Sequence, residues 1–172
     1  MERYLPTGNE MISLPTVNGQ SSGIEAVGLL SMAGKGLTEL RGSKEKPFLM
    51  PYFEIDGQKL DLNNTSWERE HYWIPKMHAA FDGGTVEMTV LCPLGERGFA
   101  LRLELECSRA CHVSVGLDGN WSRTVHCVNE EKPVEGTVHC YESAWNSGII
   151  LDMRCGYPLF AIASMCDRAD CA

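Results

Sequence analysis

The chain has 172 residues, 44% of them hydrophobic, and its 15 Lys and Arg against 23 Asp and Glu give a formal net charge of −8. A chain of this length provides one domain, with a core that needs neither a metal nor disulfide bonds to fold. Seven of the eight net negative charges lie beyond residue 60. No basic surface is left for phosphate groups, which argues against nucleic acid and against a membrane as partners.

The lack of a membrane-spanning run and of a secretory signal predicts a cytoplasmic protein or a part of a larger one. No apolar run approaches the roughly 20 residues that cross a bilayer, and the first residues lack the basic and apolar regions of a secretory signal. The eight cysteines contain no Cys-x-x-Cys pair and are predicted to be reduced thiols at small apolar positions. We expect no cofactor and no bound metal.

Turn-forming residues crowd the first 22 positions, where Pro6, Gly8, Pro15 and Gly19 interrupt any periodic pattern. Residues 1–22 are therefore predicted to be a loosely ordered lead-in. Residues 23–172 are predicted to form a β-sandwich domain, with truncation at its C-terminus left open.

From Ile24 onward the chain divides into short apolar runs that are separated by turn residues. The predicted strands, in chain order, are 24–30, 37–41, 48–55, 58–62, 85–90, 101–106, 112–117, 124–128, 137–141, 149–153 and 159–164. Asp56-Gly57 between two of these runs predicts a two-residue hairpin, because both residues can adopt a positive φ.

The clearest alternation lies at 85–90, where Val86, Met88 and Val90 point one way and the polar residues between them point the other. Residues 101–106 and 112–117 alternate in the same way, and no stretch has the pattern of an amphipathic helix. About eleven strands, each with one polar face, predict an all-β protein. The predicted architecture is an antiparallel two-sheet sandwich with little or no helix.

The tryptophans lie near predicted turns rather than inside the alternating strands. Trp67, Trp73 and Trp121 are candidate carbohydrate-binding residues, because an exposed indole stacks on the apolar face of a sugar. Packing onto the sandwich is the alternative for each of them. Trp121 follows the turn Asp118-Gly119-Asn120, so it is the one expected at a rim.

No catalytic residue is predicted. The carboxylates Glu87, Glu104 and Glu106 fall on the polar side of strands, and no two of them stand out as an acid and base pair. Two Thr-Val-His-Cys runs, at 124–127 and 137–140, could pair as a hairpin. Its register would decide whether Cys127 opposes Cys140 or His139, which leaves a disulfide, a metal site and plain strand packing open.

A longer pattern starts with Trp-Glu-Arg-Glu-His-Tyr-Trp-Ile-Pro at 67–75. A Phe-Asp-Gly-Gly turn at 81–84, a strand at 86–90 and a Cys-Pro-Leu-Gly-Glu-Arg-Gly-Phe corner at 92–99 follow. Together these motifs resemble the N-terminal β-sandwich of (α/α)6-barrel glycoside hydrolases, both glycogen-debranching-like and cellobiose-phosphorylase-like. The resemblance covers about residues 48–164 and implies a supersandwich of the galactose-mutarotase-like type. In that family the catalytic carboxylates lie on the helical barrel, so none is transferred to this chain.

The resemblance implies a non-catalytic N-terminal accessory domain of a glycoside hydrolase or glycoside phosphorylase. Its implied partners are the C-terminal catalytic (α/α)6 domain of the parent protein and an oligosaccharide at a tryptophan rim. Two alternatives stay open. One is a free-standing carbohydrate-binding module in which Trp67, Trp73 and Trp121 form a stacking platform. The other is an aldose mutarotase-like epimerase, with His78 as the candidate general acid.

Overall fold

The structure, a computed structural model, describes residues 4–18, 22–31, 36–61 and 65–119, and the later strand segments 124–127, 130–133, 137–142, 147–152 and 160–164. Across these residues the chain forms sixteen β-strands and no helix. The predicted all-β class is therefore confirmed, and each of the predicted strands has a counterpart.

The strands are β1 (Thr7–Gly8), β2 (Ile12–Leu14), β3 (Ala26–Ser31), β4 (Gly36–Arg41), β5 (Met50–Ile55), β6 (Gln58–Lys59), β7 (Thr65–Glu70), β8 (Ile74–Phe81), β9 (Gly84–Leu91), β10 (Ala100–Cys107), β11 (Val113–Asp118), β12 (Thr124–Cys127), β13 (Glu130–Pro133), β14 (Thr137–Glu142), β15 (Ser147–Asp152) and β16 (Phe160–Ser164).

Antiparallel pairing joins the described strands into four sheets. The six-stranded sheet has the order β1-β2-β3-β4-β12-β13, and the four-stranded sheet has the order β10-β9-β8-β7. The β5 sheet has the order β11-β5-β6, and the β15 sheet has the order β14-β15-β16. Most neighbours in a sheet are also neighbours in sequence, which is typical of hairpins and meanders.

The main core lies between the six-stranded sheet and the four-stranded sheet, an arrangement that is sandwich-like. Met77 of β8 stands opposite Met88 of β9 in the register, so the two side chains point to the same face and pack inward. The buried members of this cluster are Leu5, Ile12, Leu14, Val17, Ile24, Val27, Leu40, Phe48, Leu49, Met77, Met88 and Val90.

A second, smaller cluster joins the four-stranded sheet to the β5 sheet. Phe53 of β5 is buried there with Ala79 of β8 and Val86 of β9. The four-stranded sheet thus packs against both the six-stranded sheet and the β5 sheet through the same face. On β9 its other face carries the polar residues Thr85, Glu87 and Thr89, as the alternation predicted, although Thr89 is buried.

The N-terminal segment differs from the loosely ordered lead-in that its turn residues predict. Over residues 4–18 the chain forms β1 and β2, and Leu5, Leu14 and Val17 are completely buried in the main core. Asn9 accepts hydrogen bonds at Oδ1 from the N–H groups of Met11 (2.8 Å) and Ile12 (2.9 Å), which closes the turn between the two strands. Strands of two and three residues are too short to show an alternation in the sequence.

The strands β7 and β8 were not predicted from the sequence. In β8 the residues Pro75, Met77 and Ala79 are buried and alternate with less buried ones, but Pro75 obscures the pattern because proline cannot donate to a sheet. Pro75 pairs with Arg69 of β7 and precedes Lys76, where pairing with β9 begins. The missing N–H therefore lies outside the ladder with β9.

The predicted hairpin between the two Thr-Val-His-Cys runs is wrong. In the structure β12 pairs with β4 and β13, whereas β14 pairs with β15 in another sheet. The segment 130–133, which falls between two predicted strands, is the edge strand β13, and edge strands tolerate charges and proline. His126 and His139 therefore lie in different sheets, and no disulfide or metal site follows from their pairing.

Candidate functional site

The candidate tryptophans that the structure describes differ in their exposure to solvent. Trp67 of β7 is half-buried and packs against the main core, opposite Met77 in the register. Trp73 lies between β7 and β8 and is 69% exposed. Trp121 lies outside the described residues. Of the two described candidates, Trp73 is the one that the fold presents to solvent.

The loop between β7 and β8, residues 71–73, holds two adjacent aromatic side chains in solvent, and we call it the aromatic turn. Tyr72, beside Trp73, is 91% exposed. His71 and Tyr72 have φ angles of 47° and 72°, in the left-handed region that costs a non-glycine residue roughly 1–2 kcal/mol. Backbone strain of this kind is concentrated at functional sites.

Strand register and one arginine fix the aromatic turn. Glu70 pairs with Ile74 as the last pair of the β7–β8 ladder, so three residues close the hairpin. Arg69 donates from Nη1 to the carbonyl oxygen of Tyr72 (3.4 Å) and to that of Pro6 (3.2 Å). The guanidinium therefore ties the turn to the N-terminal segment, which is itself anchored in the core.

The aromatic turn presents the chemistry of a stacking surface. An exposed indole and an exposed phenol offer flat apolar faces together with N–H and O–H donors at their edges. The faces suit the apolar side of a pyranose ring, and the donors suit its hydroxyl groups. Two adjacent residues of a strand would point to opposite faces, so a turn is needed to expose both rings.

A second candidate lies on the outer face of the four-stranded sheet, where His78 stands between two carboxylates. Its Nδ1 lies 2.8 Å from Oε1 of Glu87, and its Nε2 lies 3.3 Å from Oε1 of Glu68. Nζ of Lys76 lies 3.1 Å from Oε2 of Glu87. We call these four side chains the His78 cluster.

Cross-strand pairing and charge account for the His78 cluster. Lys76 and His78 lie on the same face of β8, and the register pairs them with Glu68 of β7 and Glu87 of β9 respectively. The hydrogen bond from the Lys76 ammonium lowers the pKa of the Glu87 carboxyl, and Glu87 in turn raises the pKa of Lys76. Both groups are therefore charged at neutral pH.

The His78 cluster has the geometry of a cross-strand polar network on an open sheet face. Both ring nitrogens of His78 face carboxylate oxygens. The hollow beside it, lined by Ser66, Thr85 and Glu87 among others, has a volume of about 240 Å³. This is smaller than the roughly 300–1,000 Å³ of ordinary ligand pockets. Exposed cross-strand pairs of opposite charge are common in sheets that have a solvated face.

Within the described part of the chain, no group of three or more His, Cys, Asp or Glu side chains is placed to hold a metal ion. None of the described segments forms a helix that is long and apolar enough to cross a membrane.

The cysteines whose side chains the structure describes, Cys92, Cys107 and Cys111, are free and half-buried. Cys92 packs against the main core, and burial raises its pKa to about 11. It has the role of a small apolar residue, as predicted. Cys107 and Cys111 lie instead at a corner between two sheets.

No protein-family model matches the chain, and no curated protein or solved structure matches it significantly. The resemblance to the accessory sandwich of (α/α)6-barrel enzymes therefore stays a prediction.

Sequence reasoning selected Trp73 but missed Tyr72 and the partners of His78. Tyr72 carried a usable signal, since it lies next to Trp73 in a stretch that ends at a proline. The contacts of His78 with Glu68 and Glu87 carried none, because they depend on the registers of β8, a strand that was not predicted.

Proposed function

We propose that this chain is a non-catalytic accessory β-sandwich of a carbohydrate-active enzyme, either a glycoside hydrolase or a glycoside phosphorylase. The aromatic turn is its saccharide-contacting element. The observation that carries the proposal is the exposure of Tyr72 (91%) and Trp73 (69%) on a strained backbone. A costly conformation that keeps two aromatic rings in solvent is explained if a ligand with a flat apolar face covers them.

The way the described sheets pack supports binding rather than bond breaking. Their inner faces are occupied by the two apolar clusters. The hollow at the polar outer face of the four-stranded sheet has a volume of about 240 Å³, below that of ordinary ligand pockets. A rigid hairpin such as β7–β8, with its tip held by Arg69, suits a contact made at the surface of the domain.

The partners follow from the family resemblance. The catalytic unit is an (α/α)6 domain of the parent protein, and the sandwich packs beside it. The aromatic turn then holds a remote sugar unit of an oligosaccharide while the catalytic domain acts on another. In the free-standing alternative, the same turn binds the saccharide without a neighbouring domain.

Affinity electrophoresis tests the proposal, because it detects weak binding and does not depend on tryptophan emission. Native gels contain glycogen or hydroxyethyl cellulose, and the chain migrates to the anode because of its net charge of −8. We expect at least one of the two glucans to retard it. Tyr72→Ala and Trp73→Ala are each expected to reduce the retardation severalfold, since each removes one stacking ring.

Leu94→Ala is the matched control, because Leu94 is also a large apolar residue in a turn and is 85% exposed. This variant is expected to migrate like the parent chain. Unretarded migration of the parent chain in both gels would contradict the proposal. Equal retardation of the Tyr72→Ala/Trp73→Ala double variant would contradict it as well.

The epimerase is the second candidate, and the placement of His78 between Glu68 and Glu87 is the observation that favours it. Polarimetry of freshly dissolved α-glucose separates the two functions. An accessory domain leaves the rate of mutarotation at that of the buffer. A rate that rises with protein concentration and is lost in His78→Gln would replace the proposal by the epimerase.

A further inference from the structure

The strand β10 forms one edge of the four-stranded sheet, and it is the longest edge strand among those described. It pairs with β9 through all eight of its residues without a bulge, and no described strand pairs with its other side. Its sequence contains neither proline nor lysine, the residues that most often protect an exposed edge. The free side of β10 is therefore suited to pairing with a further strand.

The backbone groups on this free side belong to three leucines. The N–H of Ser108 donates to the carbonyl oxygen of Gly83 (2.8 Å), and this pair continues the register of β10 with β9. Hydrogen-bonded pairs alternate along an antiparallel ladder, so the even-numbered residues of β10 direct their N–H and C=O groups to β9. Those of Leu101, Leu103 and Leu105 point away from β9.

The side chains of β10 differ between its two faces. Leu101 and Leu103 pack against the main core, Leu103 and Leu105 pack against the smaller cluster, and all three are only half-buried. On the outer face, Nε of Arg102 lies 2.7 Å from Oε1 of Glu104, and the two side chains are 67% and 47% exposed. The edge thus presents a row of incompletely covered leucines and an exposed pair of opposite charges.

We propose that β10 pairs in antiparallel orientation with β10 of a second copy of this chain, with the two-fold axis at Leu103. In this register Leu103 faces its own counterpart, and Leu101 faces Leu105 of the second copy. The outward N–H and C=O groups of all three leucines are then hydrogen-bonded, as in strand addition to an open sheet edge. The two four-stranded sheets become one eight-stranded sheet. This interface does not depend on the proposed saccharide contact.

Charge complementarity selects both the occupant and the register. With the axis at Leu103, each Arg102 faces Glu104 of the other copy, and Glu106 faces the neutral Ala100. An axis shifted by one residue would set the two Arg102 side chains, or the two Glu104 side chains, directly opposite each other, which is unfavourable. The strand is therefore self-complementary in one register.

The opposite edge of the same sheet, β7, lacks this complementarity. Its exposed side chains on the outer face are Ser66, Glu68 and Glu70. A second β7 would bring further carboxylates beside these and no cation, so like charges disfavour the pairing. Of the two edges of this sheet, β10 is the one that fits a second copy.

Sedimentation equilibrium of the full chain tests the proposal over concentrations from about 5 μM to about 500 μM. We expect the mass to rise with concentration toward twice the 19.1 kDa of one chain. One strand pair buries less area than a permanent dimer interface, so the association is expected to be reversible on dilution.

Amide hydrogen exchange followed by NMR locates the interface within β10. The N–H groups of Leu101, Leu103 and Leu105 are expected to exchange more slowly as the concentration rises, because pairing protects them. Those of Arg102 and Glu104 already bond to β9 and are expected to be protected at every concentration. An exchange rate at Leu103 that does not change with concentration would contradict pairing through this edge.

Charge reversal makes the test specific. Arg102→Glu sets Glu against Glu104, and Glu104→Arg sets Arg against Arg102, so each variant is expected to weaken self-association about tenfold. An equal mixture of the two is expected to associate like the parent chain, because every facing pair is again of opposite charge.

Arg41→Glu is the matched control, because it makes the same change in net charge. Nη2 of Arg41 lies 2.6 Å from Oε2 of Glu39 on the same strand, but that strand, β4, is paired on both sides. This variant is expected to associate like the parent chain.

A parent chain that stays monomeric at the highest concentration would overturn the proposal and leave the edge to a strand of a different protein or domain. The proposal also fails if Arg102→Glu and Glu104→Arg associate as strongly as the parent, or if their mixture associates no better than either alone. Equal weakening by Arg41→Glu would overturn it too, since net charge would then explain the effect.

Discussion

Tyr72 combines two properties that seldom occur together, a left-handed backbone and an almost fully exposed aromatic ring. Glycine adopts this conformation without strain. A tyrosine here therefore lowers stability without gaining a core contact. Such a residue is expected where a ligand, rather than the fold, makes use of the side chain.

The substitution Tyr72→Gly separates the effect of Tyr72 on stability from its effect on saccharide binding. Relief of backbone strain offsets the greater freedom of glycine in the unfolded chain, so the free energy of unfolding should stay the same or rise by up to about 1 kcal/mol. Retardation in glucan gels should fall to the level of Tyr72→Ala. Urea unfolding measures the first quantity, and a loss of more than about 1 kcal/mol would mean that the ring stabilises the fold.

Titration of Asp56 should make the stability of the folded chain depend on pH. The hydrogen bond from the His112 backbone, followed by that from Arg109, lowers its pKa below the ordinary value of 3.8. Because the pKa in the folded chain is below that in the unfolded chain, the stabilisation is fully present above about pH 4. It is lost as the pH falls through the folded-state pKa.

Asp56→Asn removes this charge and keeps a residue that tolerates the φ of 50° found here. At pH 7 the variant is expected to have a lower melting temperature than the parent chain. The difference should narrow as the pH falls below about 4, where the parent carboxylate becomes protonated. A difference that stays constant from pH 7 to pH 2 would show that the charge of Asp56 does not contribute.

At the scale of elements, the β5 sheet contains two glycines that are needed for different reasons. Gly57 has a φ of 79° in the hairpin turn, and an added Cβ there would meet no atom within 4 Å. Gly116 of β11 lies under the ring of Tyr52, with which an added Cβ would collide. Tyr52 is in turn covered by Lys59, whose Nζ lies 4.5 Å from the ring centroid.

A double-mutant cycle distinguishes the two glycines. Gly116→Ala should destabilise the parent chain by about 1–3 kcal/mol, through overpacking against Tyr52. The same change should cost much less in a Tyr52→Ala background. Gly57→Ala should cost about 1 kcal/mol in both backgrounds, because its penalty lies in φ. Denaturant unfolding of the six proteins (each background alone, with Gly116→Ala and with Gly57→Ala) checks this, and an equal cost of Gly116→Ala in both backgrounds would rule out the steric explanation.

Sequence patterns predicted the elements that bury one face along several residues. Val86, Met88 and Val90 alternate over a long strand, and Asp56-Gly57 marks a turn by its own chemistry, so β9 and the β5–β6 hairpin were predictable. The strands β1 and β2 were not, since they owe their place to tertiary contacts such as the burial of Leu14. Pairing between strands that are far apart in the sequence, such as β12 with β4, leaves no local signal either.

The candidate site was predictable only in part, for the same reason. An aromatic residue near a turn can be recognised in a sequence, and Trp73 was. Whether such a residue faces solvent or the core depends on its strand, as the half-buried Trp67 shows.

At the scale of the whole molecule, the N-terminal segment, residues 4–18, contributes buried side chains to the main core. Leu14→Ala is therefore expected to lower the free energy of unfolding by about 2–5 kcal/mol, the usual cost of emptying a buried leucine site. The exposed Leu94→Ala is the matched control, with an expected change within about 0.5 kcal/mol. Similar values for both variants would indicate that residues 4–18 do not pack as described.

The most direct test of the saccharide contact follows the four indole N–H signals by NMR in ¹⁵N-labelled protein. Each signal is assigned with a Trp→Phe variant, and linear gluco-oligosaccharides are added to a concentration on the order of 10 mM. We expect the Trp73 signal to shift progressively and saturably, while that of the core-packed Trp67 stays in place. A Trp73 signal that does not move with any of the sugars would contradict the proposed function.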